Sequence, residues 1–323
     1  MKDIVNKKRI IKDLQHKGLK IDDKKRLEAA LFSFNYNTVI VGYSDIFYSI
    51  DNPKRYDKVA TSNQILELYE FDTNMGNHLL HYLLKVEKKL NTSVAYQIIN
   101  QYHLKDKCLL KEDSEFIRKR IFPNLYQVQP PLAFDALIRI LLKYLDTNEY
   151  TKNFRHKHES NIIYKWKDVP LDLMCLTWSF STTYNVFLSL DKAIVSNIVN
   201  EFGVPDNNVA GFDDFIKNII HIRNLITHNY VIYKADIKYQ SEALYKMYYD
   251  ITKKNTKIIT IAEIIELIEY FTKTNTLISN TVRAFKQMKI KERFKLRVRP
   301  FAMLRDAQKE IKTNDKIEVK TTV

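Results

Sequence analysis

Glycine and proline are scarce, 5 and 7 in a chain of 323 residues. The turns of a β-sandwich or barrel draw on those residues, so their shortage argues for helices. Cysteine is scarcer still. Cys108 and Cys175 stand alone without CxxC spacing, which argues against a disulfide framework or a cysteine zinc site and fits a reducing cytoplasm. A long apolar run is also missing. Residues 171–190 are the least charged stretch, yet Asp172, Ser179, Ser181, Thr182, Thr183 and Asn185 interrupt it. A membrane span needs roughly 20 predominantly apolar residues, so a buried helix is the expectation there. Residues 1–12 are too charged to form the apolar centre of a signal peptide. No Gly-rich phosphate loop, nucleophile elbow or HExxH occurs, and neither a cofactor nor a metal is expected.

Acid is short relative to base. The 52 Lys and Arg outnumber the 38 Asp and Glu, for a net charge of +14 and a pI near 9.4. The excess is uneven. Arg283, Lys286, Lys289, Lys291, Arg293, Lys295, Arg297 and Arg299 oppose only Glu292 across positions 283–299, so that stretch carries +7, half the total. Such clustering suits a polyanion, because phosphate neutralisation supplies much of the affinity for nucleic acid. A solvated basic helix in a lysine-rich protein is the plainer alternative. A second basic block, residues 151–167, sets Lys152, Arg155, His156, Lys157, His158, Lys165 and Lys167 among Phe154, Tyr164 and Trp166. Cations interleaved with aromatics can clamp phosphates while stacking bases. The same composition also describes a polar loop whose aromatics anchor it to the core. His156 and His158 do not share a helix face and are not read as a metal pair.

Hydrophobic periodicity predicts helices over most of the chain. Helix is expected across 1–34 with a stop at Gly18 and a restart at Asp22-Asp23, and irregular turns over 35–57. A long helix comes next, over 62–103, with Leu79, Leu80, Leu83, Leu84, Val86, Leu90, Val94 and Ile98 on one face. Pro130-Pro131 marks a boundary before a helix at 132–145. Further helices are predicted at 171–190, 191–202, 212–227, 242–254 and 261–289, with Asp213-Asp214 in the first turn of the third of these. The expected division is an N-terminal helical segment (1–60), a main helical domain (61–290, with an insertion about 104–168) and a basic tail (291–323).

The segment Ile219-Ile220-His221-Ile222-Arg223-Asn224-Leu225-Ile226-Thr227-His228-Asn229-Tyr230 carries the candidate chemistry. Arg supplies a permanent cation, and His a proton mobile near neutral pH. Together they could cleave RNA without a metal. His would take the proton of the 2′-OH and protonate the leaving 5′-oxygen, while Arg would stabilise the phosphorane. Arg9 and His16 share a similar spacing in an ordinary basic helix, so spacing alone decides nothing. Five residues apart, Arg223 and His228 would sit about 140° apart on an ideal helix. They converge only if the helix ends between them or if two copies meet. Residues 227–230 read as a helix C-terminus, where the dipole favours imidazolium, and two such ends in a homodimer would gather two Arg and two His. Asn224 could orient His228 or contact the sugar-phosphate. Alternatively, Arg223 pairs with Asp213 or Asp214 of a neighbouring subunit and His228 merely caps the helix.

Several segments in order resemble one family. They are Leu14-Gln15-His16-Lys17-Gly18-Leu19-Lys20-Ile21, Phe34-Asn35-Tyr36 with Gly42-Tyr43, and Leu68-Tyr69-Glu70-Phe71-Asp72. Val86-Glu87-Lys88-Lys89-Leu90-Asn91-Thr92-Ser93-Val94-Ala95-Tyr96 and Arg223-Asn224-Leu225-Ile226-Thr227-His228 complete the series. Over roughly positions 10–235 the chain resembles bacterial abortive-infection proteins of the AbiD/AbiF type, within the HEPN superfamily. Thr227 stands where that family usually has Ala. Residues 229–233 depart from its pattern, and Met75-Gly76 fall where an Arg is frequent. The resemblance implies an all-α, HEPN-like helical bundle; additional N-terminal helices and a basic C-terminal helical tail complete the expected fold, with residues 236–323 lying largely outside the match. The resemblance also implies a dimeric, metal-independent endoribonuclease with Arg223 and His228 catalytic and Asn224 supporting, acting in anti-phage defence. The competing expectations are a non-catalytic module holding a small non-coding RNA, and a toxin–antitoxin subunit controlled by a protein antitoxin.

Overall fold

The protein, seen in a computed structural model, is described over residues 7–125, 134–157, 159–295 and 297–298. It is all-α. Among the described residues there is no strand, only isolated bridges between Lys20 and Thr61 and between Tyr48 and Tyr56. Ten helices of nine residues or more are present there: α1 (Lys7–His16), α2 (Lys24–Ser33), α3 (Ser62–Tyr102), α4 (Phe134–Leu142), α5 (Phe180–Ser189), α6 (Lys192–Glu201), α7 (Val209–Thr227), α8 (Glu242–Thr252), α9 (Ile261–Thr272) and α10 (Leu277–Gln287). None of the described helices is long and apolar enough to cross a membrane. Pro130-Pro131 lie outside the described residues.

The chain forms two compact units. The first comprises 1–81, 221–238 and 258–323, the second 82–220 and 239–257. In the first, α1 stops at Gly18 (φ 93°), and Asp23, placed just before α2, caps it by accepting from the Arg26 amide at 2.9 Å. Ile65, Leu68, Met75 and Leu79 form the buried stripe of α3 in this unit. Phe71 meets Phe285 of α10 at 5.8 Å between ring centres, and Phe47 meets Phe294 at 5.0 Å. In the second unit the stripe continues through Leu83, Val86, Leu90, Val94 and Ile98. Leu84, expected on that face, is instead 44% exposed. Phe212 packs on Phe187 and Phe202 (6.0 and 4.8 Å). Both cysteines are buried in this unit, and burial pushes Cys175 up to about 12.

Two predicted helices are each broken. Residues 171–190 form short turns up to Thr177, then α5. Trp178 leaves the helix in an extended conformation, buries its ring and donates to the Leu141 carbonyl at 3.3 Å, after which Ser179 caps α5. Burying that indole outweighs helical continuity. Residues 261–289 divide at Lys273, which takes a left-handed φ of 53° while Thr274 N–H reaches back to the Glu269 carbonyl at 3.0 Å. Helix α7 starts at Val209 rather than Phe212, because Asn208 caps it by accepting from the Gly211 amide (2.9 Å). That places Asp213 and Asp214 beyond its first turn.

Candidate functional site

Arg223, Asn224 and His228 all belong to the first unit, at the end of α7. The helix stops by a Schellman closure. Tyr230 N–H bonds to the Leu225 carbonyl (2.9 Å) and Asn229 N–H to that of Ile226 (3.1 Å), with Asn229 at φ 55°. His228 is the last residue before that reversal and is exposed, with its ring 6.5 Å from the ring of Tyr230. Asn224 is exposed and Arg223 half-buried. Arg223 Nη1 makes a long contact to Asn224 Oδ1 (3.4 Å), and its buried Nε has no hydrogen-bond partner. The structure thus brings Arg223 and Asn224 together. Among the described residues, no hydrogen bond joins either to the His228 side chain. Asp213 and Asp214 are engaged within the chain by Lys217 Nζ (2.7 and 3.3 Å), and Asp213 also by the Tyr184 hydroxyl (2.6 Å).

The backbone shortly after His228 is held by a residue to which the sequence motifs assign no role. Asp72, on the buried stripe of α3 and 1% exposed, accepts from the Ile232 amide (2.9 Å) and the Tyr43 hydroxyl (2.7 Å) through Oδ2. Its Oδ1 accepts from the Tyr233 amide (2.5 Å). Tyr43 packs edge-on to Tyr69 at 5.5 Å and lies 5.9 Å from Tyr233. Tyr233 OH and Lys234 Nζ both reach Asp45, at 3.1 and 2.7 Å. A cavity of about 40 Å³ sits here, lined by Tyr43, Tyr69, Asp72, Asn229, Tyr230 and Ile232 among others. Burial raises the Asp72 carboxyl to about 6, against the pull of its three donors, and also lifts the Tyr43 and Tyr233 hydroxyls above their usual range. Burial likewise holds His221 below its usual value, with Lys238 adding to the effect. A sequence signal for Asp72 exists: it is an acid at a core position, in step with Leu68, Met75 and Leu79.

The basic positions divide by environment. In the second unit, Lys152 pairs with Glu149, while Arg155 and Lys165 both reach Asp146 at 3.2 Å. Lys165 also lies over the buried ring of Trp166, 5.4 Å from its centre, and Lys157 is exposed. In the first unit Arg283, Lys286, Lys289 and Lys291 are exposed. Lys295 is buried and donates to the Lys286 carbonyl at the end of α10 (3.0 Å). Arg297 Nη1 donates to the carbonyls of Ile46 (2.6 Å) and Tyr48 (2.8 Å). The Arg293 side chain and Arg299 lie outside the described residues, as does His158. Among the described residues, no three His, Cys, Asp or Glu side chains are grouped as a metal site requires.

A family model described as Abi-like protein matches residues 29–234, which include Gly42-Tyr43, Leu68–Asp72 and Arg223–His228. No curated protein and no solved structure matches.

Proposed function

The chain belongs to the Abi-like protein family, and on that premise we propose that it is an abortive-infection protein that binds RNA and cleaves it without a metal. The observation that carries this reading is the meeting of three separate matched segments at one helix end. Tyr43 and Asp72 hold the backbone just beyond His228, and the His228 side chain is left facing solvent. In the proposed reaction His228 takes the proton from a ribose 2′-OH, the 2′-oxygen attacks the adjacent phosphorus, and the 5′-oxygen leaves with a proton. The products are a 2′,3′-cyclic phosphate and a 5′-hydroxyl. Arg223 stabilises the phosphorane and Asn224 holds the Arg223 guanidinium. A second copy of the site, contributed by a homodimer of HEPN type, supplies the other proton-transfer group.

The test is to purify wild-type, Arg223→Ala and His228→Ala proteins and sequence the RNA and the 3′ ends that accompany them. Cyclic-phosphate ends confined to the wild type, with a loss of about 10²–10⁴-fold in His228→Ala, are expected. Identical ends in all three would overturn the ribonuclease. One defined RNA held equally by all three would instead identify a non-catalytic RNA-binding module.

A further inference from the structure

Resting on that reading of the Arg223–His228 end, we propose that Asp72, assisted by Tyr43, is its positioning residue. The carboxylate fixes the backbone leaving His228 and so sets where the imidazole and the guanidinium are presented. Tyr230 is tied back to Leu225, and Ile232 and Tyr233 are tied to Asp72. Only Val231 separates these two attachments. The helix end is thus held from both sides, with the left-handed Asn229 between His228 and Tyr230.

The chemistry of the anchor argues for a role beyond packing. The neighbouring stripe positions Leu68, Met75 and Leu79 are apolar. An apolar residue at position 72 would avoid burying a charge, and buried ionised groups are often less stabilising than well-packed hydrophobic ones. A carboxylate, however, offers acceptors on both oxygens. That suits two successive backbone N–H groups and a hydroxyl, as at Ile232, Tyr233 and Tyr43. An asparagine offers one acceptor oxygen, so its NH2 must face a donor and at least one attachment is lost.

The titratable groups around Asp72 are Tyr43 and Asp45 from the N-terminal segment, Tyr69 from α3, and Tyr230, Tyr233 and Lys234 from the segment after α7. Lys234 is committed to Asp45 at 2.7 Å. The Tyr43 hydroxyl favours the ionised carboxylate, so its removal raises the Asp72 pKa further. The acid limb of activity should then move to higher pH, a change that a merely structural residue would not produce.

The experiment compares the wild type, Tyr43→Phe and Asp72→Asn, using a labelled single-stranded RNA oligonucleotide of mixed sequence and amide hydrogen exchange. In Tyr43→Phe, kcat is expected to fall by about tenfold, one net hydrogen bond's worth, with KM little changed. The acid limb moves upward. In Asp72→Asn, exchange accelerates at Tyr230, Ile232 and Tyr233 while the rest of the first unit stays protected. Unchanged protection at those amides in folded Asp72→Asn overturns the proposal, as does acceleration spread evenly through the unit. Should Asp72→Asn not fold, Tyr43→Phe, which removes one donor to the carboxylate and leaves both backbone bonds in place, carries the test through its kinetics: an unchanged kcat and an unmoved acid limb overturn the proposal. If the wild type cleaves no better than His228→Ala, the ribonuclease reading fails by itself, and exchange alone decides the role of Asp72.

Discussion

Burial lifts the Asp72 carboxyl from 3.8 to about 6 even though three donors face it. Between those values the folded protein binds a proton that the unfolded chain has released, so the Asp72 contribution to stability is full below about 4 and lost as the pH rises through 6. Asp72→Asn removes this titration. The stability of the wild type relative to that variant should therefore rise by up to about 3 kcal/mol between pH 7 and pH 4. Chemical denaturation of both proteins across that range measures it, and a flat difference would show that the carboxyl titrates near its ordinary value. The ionised form that the proposed activity requires is thus the less stable one. His228 and Asn224 are exposed. Their removal should leave the unfolding midpoint nearly unchanged, which separates loss of chemistry from loss of fold.

Two helix ends in this chain fall on lysines, residues that do not announce them. With only 5 glycines available, the left-handed positions that close α7, α8 and α9 are Asn229, Lys253 and Lys273. A side chain in that conformation costs roughly 1–2 kcal/mol, which glycine avoids at some entropic loss. Lys273→Gly should therefore stabilise the protein by about 0.5–1 kcal/mol, read as a higher denaturation midpoint. A midpoint that stays put or falls would mean that the lysine side chain makes an offsetting contact. Gly211 is the opposite case. A Cβ there would lie 2.5 Å from the Ala243 carbonyl oxygen, so even alanine would force α7 and α8 apart. The cost expected for Gly211→Ala is about 1–3 kcal/mol.

Over the whole molecule, the net charge of +14 is a statement about partners, but its individual members have different tasks. Lys286 and Lys289 are exposed, whereas Lys295 and Arg297 hold backbone carbonyls. If the basic stretch contacts RNA phosphates, Lys286→Ala and Lys289→Ala should each lower the slope of log affinity against log salt by about 1 and leave stability alone. Arg297→Ala should instead lose about 2 kcal/mol of stability, the worth of a charge-assisted hydrogen bond to a carbonyl. Salt titration of oligonucleotide binding, paired with thermal melts, separates the two groups. Equal slopes in all variants would remove this stretch from the RNA-binding surface.

The helical class was legible in composition and periodicity alone, because a shortage of glycine and proline and a 3.6-residue apolar repeat are local properties of the chain. The stop after Thr227 was equally readable, since polar residues there interrupt an apolar run. The break at Trp178 was not: it depends on a pocket and a carbonyl at Leu141, 37 residues away. The role of Asp72 was hidden for the same reason. Its partners Tyr43, Ile232 and Tyr233 lie 29, 160 and 161 residues distant. Local propensity sees neighbours within a turn or two, whereas the placing of a buried carboxylate against two backbone amides is decided only when distant segments pack.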